Sequence, residues 1–314
     1  MRFLRAILIL WVALPLAAQD FQYPDDSTYT LAFWNVENLF HPGRDSLNPD
    51  SDYTPTGTYH WTLNRYFRKL NAISRSLSLI GGWQGLDIIG LCEVESDSCL
   101  IDLKRRMPGY DYIHYDGPDR RGIDCALLYR TKRIQLLSSR PVYVALDSTT
   151  RTRDLLYVCT ETATRDTLHL IVCHLPSQWG GAQASEWKRK RAKQAIQTLV
   201  DSIYSVSNNP TIIVMGDMNS APQNDIRGLL NMATLPEVRR WEGTHKYQGR
   251  WTMLDQFYVS LLIAEKAEMQ VKDIDRLKEY DKRYLGYKPR RTYIGPKYNG
   301  GISDHYPILL RIKK

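Results

Sequence analysis

The sequence predicts a mixed fold of strands and helices, α/β or α+β, on three observations. Short apolar runs alternate with turn-rich stretches, two longer windows carry helical spacing, and no internal repeat is visible. Eight β-branched, aromatic or aliphatic runs, each bounded by Gly, Pro, Asn, Asp or Ser, read as strands. They are Tyr29–Val36, Asp87–Cys92, Asp124–Arg130, Leu155–Thr160, Leu168–His174, Thr211–Gly216, Gln256–Ser260 and Pro307–Ile312. Asn64–Leu79 reads as a helix because Phe67, Leu70, Ile73, Leu77 and the following Ile80 share one face. Ala184–Tyr204 reads the same way through Trp187, Ala195, Ile196, Leu199 and Ile203. Two segments read as long surface loops: Asp45–Thr58, rich in Pro, Asp, Ser and Thr, and the basic, tyrosine-rich Arg276–Tyr298. Neither separates halves with independent cores, so residues 20–314 are expected to form one domain.

With 314 residues, 43% hydrophobic and 24% charged, the chain can bury a sizeable core, which excludes disordered, collagenous and coiled-coil classes. Lys plus Arg number 42 against 34 Asp plus Glu, a net charge of +8, which favours an anionic partner such as phosphate, nucleic acid or an acidic lipid head group. Arg2 and Arg5 precede the apolar run Ala6–Ala18, and Gln19-Asp20 follows. This is the layout of a secretory signal over residues 1–19. Its removal leaves +6 and an exported, periplasmic or extracellular chain. The apolar run is too short to span a bilayer comfortably, so no stable membrane insertion is expected after cleavage. Five cysteines are an odd number for an exported chain. A cross-hairpin Cys159–Cys173 disulfide is conceivable, and buried free thiols are the simpler reading. No cysteine or histidine spacing suggests zinc.

Polar side chains stand where apolar strands stop. Trp34-Asn35-Val36-Glu37-Asn38, Leu91-Cys92-Glu93, Cys173-His174-Leu175-Pro176-Ser177 and Val214-Met215-Gly216-Asp217-Met218-Asn219 each end a strand, and strand ends feed clefts. Any one of these alone is common turn or surface composition. Ser303-Asp304-His305-Tyr306-Pro307 adds an adjacent acid and imidazole beside a strand, a pair able to bind a hard cation and move a proton.

The ordered set from Thr30 onward resembles the endonuclease/exonuclease/phosphatase superfamily. Its most specific pieces are Gly216-Asp217-Met218-Asn219 and Ser303-Asp304-His305, supported by Asn35, Glu93, His174 and Leu254-Asp255-Gln256-Phe257. The resemblance implies a deoxyribonuclease-I-like α+β sandwich of four layers, two packed and mostly antiparallel sheets flanked by helices. It implies a metal-dependent phosphoesterase using Mg²⁺, with Mn²⁺ as the alternative. Glu93 would be the principal metal ligand, with Asn35 beside it and Asp304 helping at the same or a second position. Asp217 and Asn219 would orient the attacking water and the phosphate, His305 polarised by Asp255 would be the acid/base dyad, and His174 would donate to a phosphoryl oxygen. The resemblance leaves open whether Asp217 or His305 takes the proton. His174 stands where some members carry tyrosine, which leans toward the deoxyribonuclease-like and phosphatase-like branches. The basic, aromatic stretch from Pro289 to Gly301 looks like an insertion of exported bacterial members that lines the cleft.

Substrate contacts are expected from Arg121, Ser177, Arg291 and Tyr293, with Arg120, Arg151 and Arg153 as further basic positions and Trp179 as a stacking face. A phosphodiester, DNA or RNA among the candidates, is the leading substrate and a small phosphomonoester the alternative. A sphingomyelinase-like reading lacks an exposed apolar hairpin. A catalytically inactive binding module fits poorly with a complete set of catalytic side chains. No feature calls for an obligate protein partner.

Overall fold

A computed structural model of the chain describes residues 28–43, 52–147, 150–178 and 180–313. The signal at 1–19, residues 45–51 of the first expected loop, and Trp179 lie outside the described residues. Twelve strands, numbered in chain order, build two six-stranded sheets: β1 Thr28–Leu39, β2 Ile88–Val94, β3 Tyr110–His114, β4 Asp124–Arg130, β5 Ile134–Val142, β6 Leu155–Thr162, β7 Thr167–His174, β8 Thr211–Asp217, β9 Leu229–Asn231, β10 Asp255–Ser260, β11 Ala267–Val271 and β12 Ile308–Lys313. The longer helices are α1 Leu63–Gly81, α2 Asp97–Lys104 and α3 Glu186–Val206.

The first sheet runs β11-β12-β1-β2-β4-β3 and the second β5-β6-β7-β8-β10-β9. One pair in each is parallel, β1–β2 and β7–β8, and the remaining pairs are antiparallel. The two sheets therefore share one topology: a parallel pair joined through a long helix, flanked on each side by two antiparallel strands. The amino-acid sequence shows no matching repeat, because the path of the backbone repeats while the side chains do not.

Alternation along the central strands explains the layering. In β7 and β8, Leu170, Val172, Ile213 and Met215 face the core shared with the first sheet. Ile171, Cys173, Ile212 and Val214 face Ile196, Leu199 and Val200 of α3. A strand buried on both faces reads as a continuous apolar run. Gly90 in β2 lets the sheets approach closely, since a Cβ there would come within 2.6 Å of the Met215 sulfur. On the other side α1, capped by Thr62, buries Tyr66, Leu70, Ile73 and Leu77.

All eight expected strands are present, and the four that the sequence did not signal, β3, β5, β9 and β11, are the four sheet edges. An edge strand is covered incompletely, so its apolar pattern is diluted; β5 buries a single residue, Ile134. The short α2 was not foreseen either. Two helix positions expected to be buried face outward: Phe67 is 36% exposed beneath the Arg106 guanidinium, and Trp187 is 43% exposed. Arg189 takes the buried place in α3, donating to the carbonyls of Pro176, Ser177 and Ala182. The expected loop Arg276–Tyr298 folds into two small hairpins, Lys278–Tyr280 with Tyr287–Pro289 and Tyr293–Ile294 with Lys297–Tyr298. All five cysteines are free thiols, four of them buried.

Candidate active site

The parallel pairs deliver their C-terminal ends to one cleft of about 1010 Å³, where the two sheets meet. In the second sheet the pairings His174 with Asp217 and Asp217 with Asp255 set three polar side chains in a row across β7, β8 and β10. In the first sheet, Asn35 of β1 pairs with Cys92 of β2, which puts Glu93 one residue beyond. The Asn35 amide joins the sheets, donating to Glu93 Oε1 at 3.2 Å and to Asp217 Oδ2 at 3.1 Å.

Glu37, Asn38, Glu93 and Asn219 have positive φ of 48° to 64°, an unfavourable conformation for side chains of this kind that persists where surrounding bonds hold it. Those bonds are present. The Asn38 N–H donates to Glu93 Oε2 at 2.8 Å, the Glu37 N–H to Asn35 Oδ1 at 2.9 Å, and the Asn219 N–H to Asp217 Oδ1 at 2.9 Å. The Asn219 amide donates in turn to the Leu175 carbonyl, tying the β8 turn to the β7 turn.

His305 is held at both ends. Its Nδ1–H donates to Asp255 Oδ2 at 2.7 Å, and its Nε2 lies 3.8 Å from Asp217 Oδ2. The Ser303 hydroxyl accepts from the His305 N–H and donates to the Asn35 carbonyl, while Trp34 donates to the His305 carbonyl. His174 Nε2 stands 3.7 Å from the same Asp217 oxygen and 3.9 Å from Glu93 Oε1.

Burial alone would lower the His305 pKa, but the carboxylates of Asp255 and Asp217 hold it well above the ordinary histidine value. His174 is pushed well below it by burial, with Arg153, Arg121 and His305 adding repulsion. Asp217 is raised to about 7, chiefly by burial. The site thus places an imidazolium and a neutral imidazole on either side of a carboxylate that titrates near neutrality.

Asp304 lies on another wall, with Arg291 Nη2 at 2.9 Å and His245 Nε2 at 3.9 Å. Arg291 also reaches Glu37 Oε1 at 3.4 Å. Glu37 accepts from the Thr292 N–H at 2.6 Å, and burial raises its pKa to about 7. Lys69 of α1 is buried below, donating to the Glu37 carbonyl and to Thr292 Oγ1.

The donors present fit a hard divalent cation. Glu93, Asp217, Glu37 and Asp304 crowd one cleft, two of them with pKa values raised by burial. Asp255 Oδ1 is buried without a hydrogen-bond partner. As placed, Asn35 turns its N–H groups toward both carboxylates, so among the three expected ligands Glu93 and Asp304 present oxygens without that commitment.

Of the expected substrate contacts, Arg121 and Ser177 line the cleft. Arg291 lines it too, but as a clamp between two carboxylates rather than a free guanidinium. Tyr293 is corrected outright. It is 5% exposed, packs against Tyr59 and Trp61, and donates its hydroxyl to the Tyr59 carbonyl. A short hairpin turned that ring inward, which composition could not signal. Glu37, although it stands in the first strand-end segment, carries no expected role in the sequence, and Lys69 and His245 were missed. Glu37 lies two residues after Asn35 on one strand, and that period of two was a usable signal. Lys69 adjoins the buried stripe of α1, and His245, whose ring lies 4.8 Å from that of His305, offers no local pattern at all.

Comparison with solved structures supports the fold. TDP2 of D. rerio, in complex with a single-strand DNA product, aligns with a TM-score of 0.58 at 17% identity, covering 92% of this chain and all of that one. An endonuclease/exonuclease/phosphatase family protein of Bacteroides thetaiotaomicron aligns at 0.59 and 17% identity, covering 90% and 97%. A mannosyl-6-phosphatase of the same organism aligns at 0.57 and 18% identity, covering 90% and 98%. A sequence comparison with curated proteins returns no match. The profile of the endonuclease/exonuclease/phosphatase family matches residues 30–314, nearly the whole chain that carries the cleft, so the protein belongs to that family of hydrolases acting on phosphoester bonds.

Proposed function

We propose that this phosphoesterase is exported, depends on Mg²⁺ or Mn²⁺, and cleaves phosphodiester bonds by in-line attack of water. The observation that carries the reading is Asp217 standing between two histidines, one charged through Asp255 and one neutral. Asp217, with a pKa near neutrality, takes the proton of the attacking water. The bond to the departing oxygen breaks as His305, kept cationic by Asp255, gives that oxygen its proton, and His174 donates to a phosphoryl oxygen as charge builds there. Asn219 holds Asp217 in place. The cation would rest on Glu93 and Asp304, with Asn35 orienting Glu93 through its amide N–H, and when bound it supplies charge that offsets the phosphoryl oxygens.

A rim of Arg120, Arg121, Arg151 and Lys188 favours a substrate longer than one phosphate. A small phosphomonoester is the second reading, favoured by the pairing of Arg153 with Asp119 and of Arg291 with Asp304, which shortens the free basic track. Export rests on the Arg2 to Ala18 pattern. Purified protein is assayed with Mg²⁺ on plasmid DNA, RNA, bis-p-nitrophenyl phosphate and p-nitrophenyl phosphate, with and without EDTA. Diester cleavage abolished by EDTA supports the proposal. Turnover of the monoester alone establishes the second reading, and activity that persists in EDTA overturns the metal dependence.

A further inference from the structure

A second cluster of ligating side chains brackets the loop between β3 and β4. His114 ends β3, Asp116 lies in the loop, and Asp124 opens β4, two positions before the Ala126 that faces His114 across the ladder. Each offers a ligand atom within 4.8 Å of the other two, and none of the three lines the cleft. The imidazole is the telling member. Its side chain is 2% exposed, and its Nδ1 lies 3.2 Å from the Asp97 carboxylate, which accepts only. Nδ1 therefore carries the proton and Nε2 keeps its lone pair. That Nε2 is buried without a hydrogen-bond partner, and buried polar atoms rarely stay unpaired. A carboxylate that orients an imidazole and leaves the far nitrogen bare is the usual support of a metal-bound histidine.

We propose that His114, Asp116 and Asp124 form a structural site for a borderline divalent cation, Zn²⁺ above all, separate from the cleft. One imidazole and two carboxylates with room for water suit Zn²⁺ better than Mg²⁺, which prefers oxygen alone. Tetrahedral ligands about 2.1 Å from a cation lie roughly 3.4 Å apart, so atoms within 4.8 Å of one another need to close by at most about 1.4 Å. Asp116, exposed on the loop, is the member free to move. The consequence reaches the cleft, because this loop carries Pro118, Asp119, Arg120 and Arg121 to its wall. A cation joining both ends of the loop removes loop-closing freedom and fixes where those arginines stand.

The test uses mature protein carrying Glu93→Gln, which weakens the cleft as a competing site, stripped with EDTA and dialysed against Zn²⁺. One Zn²⁺ per chain is expected. Zn²⁺ should also slow tryptic cleavage after Arg120 and Arg121 several-fold. Adding Asp116→Asn, an exposed change compatible with folding, should weaken Zn²⁺ binding by roughly tenfold or more and abolish the protection. His114→Ala should do the same. A Glu93→Gln chain that retains no Zn²⁺ overturns the site, as do Zn²⁺ content and protection unchanged by Asp116→Asn. Neither readout requires phosphoesterase activity.

Discussion

Replacing Asp255 by Asn tests the proposed chemistry at its most buried point. Asp255 is fully buried, and its Oδ2 accepts from His305 Nδ1 at 2.7 Å. A hydrogen bond of this kind to a charged group is worth about 1.5–3 kcal/mol, and one pKa unit corresponds to about 1.4 kcal/mol, so the His305 pKa should fall by roughly one to two units. Loss of a positioned acid or base costs about two to four decades in rate. Hydrolysis of bis-p-nitrophenyl phosphate between pH 5 and 9 should show kcat/KM down at least a hundredfold, roughly, and the alkaline limb displaced to lower pH. Stability moves in a defined direction. The folded His305 pKa lies above the unfolded value of about 6.5, so the dyad's contribution is complete below that pH and is lost as pH rises through the folded value. The Tm difference between wild type and Asp255→Asn should therefore be largest in mild acid and shrink in alkali. An unchanged rate, or a Tm gap that widens with pH, would refute the reasoning.

Four further outcomes are expected. Asp217 is raised to about 7, so its ionisation penalises the metal-free fold increasingly as pH climbs from the unfolded carboxylate value toward 7. Asp217→Asn should stabilise the metal-free protein at pH 8 by roughly 1–3 kcal/mol in urea unfolding while abolishing turnover; a destabilised, active variant contradicts this. Lys69→Met leaves the Glu37 carbonyl and the Thr292 hydroxyl without their buried donor and should cost about 1–3 kcal/mol in the same measurement, and a loss below about 0.5 kcal/mol would show that the lysine carries little. Arg121→Ala should raise KM for an oligonucleotide several-fold more than for bis-p-nitrophenyl phosphate, while Tyr293→Phe leaves both constants alone and costs about 1 kcal/mol of stability. Equal effects of Arg121→Ala on the two substrates would remove it from the phosphate track.

The amino-acid order determined the central strands and the acidic, amide and imidazole residues at their ends. Strands such as β7 and β8 are buried on both faces along most of their length, and that demand is written locally as unbroken apolar runs such as Leu170–Cys173 and Ile212–Met215. A polar residue ending such a run is weak evidence alone, and Asn35, Glu93, His174 and Asp217 were legible because they recur in order at several strand ends and the ordered set resembles one family. Tertiary structure decided what local order does not encode. The edge strands were hidden because partial cover dilutes their pattern, and His245 because it opens the three-residue strand His245–Tyr247, paired with Arg250–Thr252, which is too short to carry a period. Arg291 became a clamp and Tyr293 a core ring because neighbours from β1 and the Tyr59 segment, more than two hundred residues away in the chain, set their surroundings. Convergence is a property of packing: Asp217 meets Asn35 and His305 only where two sheets close on one another, and no stretch of sequence contains that distance.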